Sequence, residues 1–139
     1  MADCLFCRII SGELKAHTIY EDPHAFAFLD IHPSSRGHAL VIPRAHAETL
    51  SQLDDREIGP LFAAVKAVTA LLEAALKPAG MNIGVNHGWA AGQRVGHLHV
   101  HLIPRYAGDG GSGMQSIVHG FVAEDPAGLA ARIRAARPV

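Results

Sequence analysis

Residues 95–105 read VGHLHVHLIPR, placing His97, His99 and His101 at every second position and Leu98, Val100 and Leu102 between them. On an extended strand, side chains two residues apart share one face at roughly 7 Å. Three imidazoles in such a row can enclose a small anion or a metal ion, or divide the roles of nucleophile, acid and orienting group. The plain alternative is a solvated polar face, but such faces commonly mix Thr, Lys and Glu.

Cys4 and Cys7 form a second chemically suggestive spacing, C-x-x-C. It fits a redox dithiol, yet no strand precedes it as in a thioredoxin-like site. It also fits two small buried apolar residues. A third reading is half of a tetrahedral zinc site, completed by two histidines.

These groups need a scaffold, and the chain has the size of one. Its 139 residues are 49% hydrophobic and 18% charged, with a net charge of −1. A domain this long buries roughly two-thirds of its unfolded surface. No Lys/Arg-rich run is present, so neither a nucleic-acid backbone nor an anionic membrane is the expected partner. No basic segment followed by an apolar stretch opens the chain, and no segment reads as the roughly 18 apolar residues of a membrane span. A cytoplasmic protein with reduced cysteines is expected.

The pattern predicts a short helix over CLFCRIISG closed by Gly12, then strands at 17–21 and 25–30 joined through EDPH. A loop, HPSSRGH, leads to a buried strand HALVIP. From Asp55 to Leu76 apolar residues recur at helical spacing, with Asp54 or Asp55 as N-cap and Pro60 within about the first turn. MNIGVN is the next strand, HGWAAGQ a loop, 95–103 the histidine strand and GDGGSG a flexible loop. Asp125 and Pro126 start a C-terminal helix. The class expected is α+β: a mostly antiparallel sheet packed on one long helix, with short N- and C-terminal helices. Leu98, Val100 and Leu102 pack on the helix, and the histidines face the open side. The chain reads as a single domain, 1–139, with a core at about 3–106 and a tail at 107–139.

GQRVGHLHVHLIPR resembles the signature of the HIT (histidine triad) nucleotide-binding hydrolases. CLFCRIISGELKA resembles that family's N-terminal segment, and AFAFLDIHPSSRGHALVIPRAH its strand–loop–strand block, ending in VIP-x-x-H. The resemblance covers about residues 3–106, is weak after Gly108, and implies a HIT-like fold. It implies that His99 is the nucleophile toward the α-phosphorus of a purine nucleotide, that His101 donates to a phosphate oxygen, and that His97 supports the site or binds metal. It places Gln93 and Asn86 near phosphate and Asp30 at the ribose hydroxyls. Leu5, Phe6, Ile9, Phe28 and Ile31 would hold the base, although plain core packing also accounts for such apolar residues. His38 falls near the triad as a buttress.

The activity implied is nucleotide hydrolysis through a nucleotidyl-histidine, as a phosphoramidase or a dinucleoside polyphosphate hydrolase, with no catalytic metal. By the same resemblance Cys4, Cys7, His46 and His97 form a structural zinc site, and the protein forms a homodimer. A nucleotidyltransferase, a non-catalytic nucleotide-binding adaptor and a zinc enzyme are the alternatives; His101 stands where the transferases usually carry glutamine. Arg94 occupies a position where many members have Ser or Thr, which leaves open the leaving group. Trp89 has three readings: stacking on substrate, anchoring its loop, or a subunit contact.

Overall fold

A computed structural model describes residues 3–120 and 122–138 of the chain. In chain order the elements are α1 (Leu5–Ile10), β1 (Thr18–Glu21), β2 (Ala25–Leu29), β3 (Ala39–Pro43), α2 (Asp55–Leu76), β4 (Gly80–Gly84), β5 (Val100–Arg105) and α3 (Pro126–Ala135). The five strands form one antiparallel sheet in the order β1-β2-β3-β5-β4. The architecture is α+β, as the pattern predicts.

The sheet is covered on both faces, which explains why β2 and β3 read as unbroken apolar runs. Ala25, Ala27, Ala39, Val41, Val100 and Leu102 pack with Leu61, Ala64, Val65, Val68 and Leu72 of α2. The alternate residues, Phe26, Phe28, Leu40 and Ile42, pack with Phe6 of α1 on the other face. Leu40 pairs with His101 in register, so His101 lies on the α1 side. Leu98, Val100 and Leu102 are all buried on the α2 side. Fully burying three such side chains contributes about 5–9 kcal/mol, ample to fix which way the histidines point.

α2 begins at the Asp54 cap, whose carboxylate accepts from the Arg56 N–H, and Asp55 and Glu57 complement the positive end of the helix. It closes on Lys77 in the left-handed conformation, φ 49°, just before Pro78. Pro60 lies deeper than the first turn: with Asp55 at the first helical position it falls in the second turn, so the Arg56 carbonyl loses its helical donor. α2 is also long and apolar enough to cross a membrane, with a window of mean hydropathy 1.5, contrary to the sequence reading. Its many alanines raise the average, while Leu61, Val65, Val68 and Leu72 pack against the sheet and Phe62 and Leu71 stay exposed.

Two further differences concern the histidine row. β5 starts at Val100, so His97 and His99 precede the strand, in a segment bent at 95–97. β3 ends at Pro43, and the segment bonds to the chain beyond it: Leu98 N–H donates to the Ala47 carbonyl at 2.7 Å. Nor is the histidine face open, because α1 lies over it. His97 is 0% and His99 7% exposed, and only His101 is partly exposed. Finally, HGWAAGQ contains a 3-10 turn at Trp89–Ala91.

Candidate functional site

The loop between β2 and β3 folds tightly onto the end of α2. Gly37 has φ 88°, a conformation that favours glycine, and it lies close against the tip of the Leu76 side chain. This close approach delivers His38 to the start of β3, directly opposite β5. The His38 Nδ1 accepts the Ser34 backbone N–H at 3.0 Å, which leaves its proton on Nε2. That Nε2–H donates to His101 Nδ1 at 2.9 Å, and His101 must then carry its own proton on Nε2. This last N–H is buried and has no partner among the described residues. Burial lowers the pKa of both rings, that of His101 to about 4, with the neighbouring His99 and His38 adding to the shift. The pair is therefore neutral at pH 7, and His101 presents a donor by tautomer rather than by charge.

His99 is fixed differently. Its Nδ1–H donates to the backbone carbonyl of His97 at 2.7 Å, so the neutral ring keeps its lone pair on Nε2. Phe6 meets the His99 ring edge-on at 5.3 Å between centroids, and His101 flanks it at 5.0 Å. An imidazole with one nitrogen tied and the other unprotonated is a competent nucleophile, and the neighbouring His101 N–H can steady a developing negative charge.

His97 belongs to a second cluster. Its Nε2–H donates to the Pro43 carbonyl at 2.9 Å, turning Nδ1 toward the cysteines, 3.4 Å from the Cys4 sulfur and 3.6 Å from the Cys7 sulfur. His46 Nδ1 lies 3.3 Å from the Cys7 sulfur. All four donor atoms fall within 4.8 Å of one another. A tetrahedral zinc ion with ordinary bond lengths sets sulfur and nitrogen ligands roughly 3.5 Å apart, so the spacing fits. Burial, with Cys4 beside it, pushes the Cys7 thiol up, and a bound cation is what would hold it as thiolate.

The remaining sequence candidates divide. Asp30 places a carboxylate oxygen 3.6 Å from His38 Nε2, and Asn86 lines a hollow beside His101. Phe6 and Phe28 are buried and Ile9 partly so, while Leu5 and Ile31 are exposed on their flank. The Gln93 amide is committed internally: its nitrogen donates to the Glu48 and Val95 carbonyls at 2.6 and 3.0 Å, and its oxygen accepts from Gly88 N–H. It braces the loop leading into the histidines and has no hydrogen left for phosphate. Arg94 stacks its guanidinium over the exposed Trp89 ring at 4.3 Å. The Ser34 contact escapes sequence reasoning because a backbone N–H leaves no side-chain signal. The bracing by Gln93 is hidden for the same reason, since its partners are all backbone.

Comparison with known proteins gives a consistent picture. The family model described as HIT domain matches residues 11–108. An uncharacterized HIT-like protein of Methanocaldococcus jannaschii is 47% identical over 77% of this chain and 82% of its own. An adenosine 5'-monophosphoramidase of Schizosaccharomyces pombe is 40% identical, covering 73% and 74%. Among solved structures, a HIT family member from Bacillus subtilis superposes with TM-score 0.84 at 34% identity, covering 99% of both chains. A zinc-bound histidine triad family protein from Mycobacterium smegmatis gives 0.74 at 38% identity, covering 78% and 79%.

Proposed function

The chain belongs to the HIT domain family, and from that membership we propose that it is a nucleotide hydrolase working at the α-phosphate of purine nucleotides. The observation that carries the reading is the fixed tautomer of His99, whose Nδ1–H is held by the His97 carbonyl. In this mechanism the His99 Nε2 lone pair forms a bond to phosphorus while the bond to the leaving group breaks. The departing atom keeps that electron pair and takes a proton from solvent. Water then attacks the phosphorus, the nitrogen–phosphorus bond breaks back to His99, and the water's surplus proton returns to solvent. The His101 Nε2–H donates to a non-bridging oxygen in both steps. Asp30 accepts from ribose hydroxyls, Asn86 approaches the phosphate, and the base rests on Phe6, Ile9 and Phe28, with Leu5 and Ile31 at the rim. The S. pombe relative's name supports a phosphoramidate substrate.

Cys4, Cys7, His46 and His97 hold a structural zinc ion in this reading, which ties α1 to the catalytic segment; a zinc-bound relative supports it. A homodimer is also proposed. Among the described residues β4 is an edge strand of the sheet, and Ile83, Phe62 and Leu71 are exposed apolar residues on β4 and α2. A single-chain mass by size-exclusion chromatography at micromolar concentration would remove the dimer.

The test of function is His99→Ala against adenosine phosphoramidate. Turnover should fall by at least about a thousandfold with nucleotide binding retained. Mass spectrometry of quenched wild-type reactions should find a nucleotidyl adduct on His99. Undiminished turnover in the variant would remove the nucleophile role.

A further inference from the structure

The turn that brings in His38 has two forms open to it, and the structure holds it in one. His38 N–H donates to the Ser35 carbonyl at 3.1 Å, closing a tight turn over Ser35, Arg36, Gly37 and His38. Gly37 has φ 88°, while Arg36 is not among the residues of positive φ. That combination is a type II turn. Its central peptide, the Arg36 carbonyl with the Gly37 N–H, can rotate as a unit to the type I form with the two ends little moved. Glycine accepts both forms, so the choice falls to what the carbonyl meets.

It meets Tyr106, whose hydroxyl donates to the Arg36 carbonyl at 2.8 Å. A rotated peptide would turn that carbonyl away and leave the hydroxyl without this acceptor. Tyr106 is itself fixed: its N–H donates to the Asp109 carboxylate at 3.0 Å, and its carbonyl accepts the Asp109 N–H at 3.1 Å. Arg105 donates through Nε and Nη2 to both Asp109 carboxylate oxygens at 2.8 and 2.9 Å. Its Nη1 donates to Asn82 Oδ1 and to the Ser112 carbonyl at 2.7 and 2.6 Å. Asp109 also accepts the Gly111 N–H. The Arg105 guanidinium holds the Asp109 carboxyl well below the usual carboxylate range, so the pair stays ionised and closed at neutral pH. The loop read as flexible from its glycines is thus pinned. Ser112 and Gly113 wall the hollow beside His101, and Tyr106 reaches Arg36 from a rigid base.

The same turn carries the bond that orders the protons of the histidine pair. Ser34, just before the turn, donates its N–H to Nδ1 of His38, at the turn's far end, at 3.0 Å. His38 Nε2–H then meets His101 Nδ1 at 2.9 Å. Two hydrogen bonds in series lose their alignment together when the turn spanned by the first exchanges between forms. We propose that Tyr106 is a positioning residue: its hydroxyl holds the Arg36–Gly37 peptide in one orientation and, through His38, keeps His101 aimed as a donor at the substrate. The kinetic part of this assignment rests on the hydrolase reading above. β5 thus carries His101, and the residue just beyond its end, Tyr106, supplies the group that aims it. Asp30 is held separately, its N–H on the His38 carbonyl at 2.9 Å and its Oδ1 accepting from His32 N–H at 2.9 Å. The ribose side therefore does not depend on the central peptide of the turn.

Tyr106→Phe keeps the ring and removes only the hydroxyl. On adenosine phosphoramidate it should lower kcat about fivefold, with KM changed by less than about twofold. In a His38→Ala background the same substitution should change kcat by less than about twofold, because the route through His38 is already cut. NMR of protein with isotope-labelled histidines reads the brace without turnover. The His38 Nε2–H signal, assigned by its loss in His38→Ala, should exchange slowly with water in the wild type and at least about fivefold faster in Tyr106→Phe. Thermal melting checks that each variant is folded. An unchanged kcat, a loss confined to KM, or a loss that multiplies with that of His38→Ala overturns the proposal. So does equal exchange in wild type and Tyr106→Phe, or a wild type with no protected His38 ring proton. Absence of turnover in wild type, with no His99 adduct, overturns the hydrolase reading alone, and the exchange measurement still decides whether Tyr106 holds His38.

Discussion

The Nε2 of His38 lies 2.9 Å from Nδ1 of His101, and a backbone N–H, that of Ser34, decides which of the two donates. While both rings are neutral, the proton order along this pair is set by the main chain. His101 therefore meets a phosphate oxygen as a donor before any charge has developed, which is the preorganisation that favours a transition state over a ground state.

Breaking this order should slow the chemistry without much effect on binding. His38→Ala removes the donor to His101 Nδ1 and should lower kcat on adenosine phosphoramidate by about 10–100-fold, with KM changed by less than about threefold. His38→Gln supplies an amide N–H in a similar place and should recover part of the loss. Equal loss in both variants, or a loss confined to KM, would reduce His38 to a packing residue.

The same burial predicts an acid limit. His101 has its pKa lowered to about 4 in the fold against 6.5 for an ordinary histidine. Between those values the unfolded chain binds the proton and the folded one does not, so stability falls as pH drops from about 6.5 toward 4. The loss from this one group is on the order of 3 kcal/mol at its limit. The contribution of His101 to the rate should be lost near pH 4, where the protonated ring can no longer accept from His38. Chemical denaturation and initial rates between pH 3.5 and 7.5 measure the two effects separately. A melting midpoint flat across that range in wild type would contradict the assignment.

Gln93 gives a prediction that separates two readings of one residue. Its three amide contacts are all internal, so Gln93→Ala should cost about 1–3 kcal/mol of stability by orphaning buried backbone groups. At temperatures well below the melting point, KM should stay within about twofold. A large rise in KM with unchanged stability would instead show direct contact with the nucleotide phosphate.

For the Cys/His cluster the expected outcome is close to one zinc per chain by elemental analysis. Cys4→Ser or prolonged chelation should remove the metal and lower Tm by at least about 5 °C. Metal-free protein with an unchanged Tm would rule out a structural ion. His46→Ala should resemble Cys4→Ser in both readouts, since the two side chains meet in the same cluster.

Much of this was legible in the sequence because it rests on side-chain periodicity. The α2 boundaries, Asp55 to Leu76, follow from apolar spacing and an acidic cap, and both were readable. The grouping of Cys4 and Cys7 with His46 and His97, which only the family resemblance implied, is what the fold brings together. The start of β5 was not legible. The alternation continues back through Leu98 and His97, but hydrogen bonding does not, because β3 ends at Pro43 and the segment bonds to the following loop. The identity of the cover over the histidine face was also hidden, since α1 is too short to announce which surface it caps. Arg105 and Asp109 carry opposite charges four residues apart, a visible pairing, yet only the fold shows that they pin a wall beside His101.

The sheet that carries His101 is packed on both faces, and this makes the histidine row intolerant of changes in chain length. Inserting or deleting one residue within β5 would reverse every side chain beyond that point. Val100 or Leu102 would then face α1, and a histidine would be driven against Val68 and Leu72 of α2. Divergence by insertion is therefore closed to the strand and open only to its flanks, the 88–94 loop and the segment after Arg105. Those are the places where a lineage built on this fold can change what it accepts while keeping how it reacts.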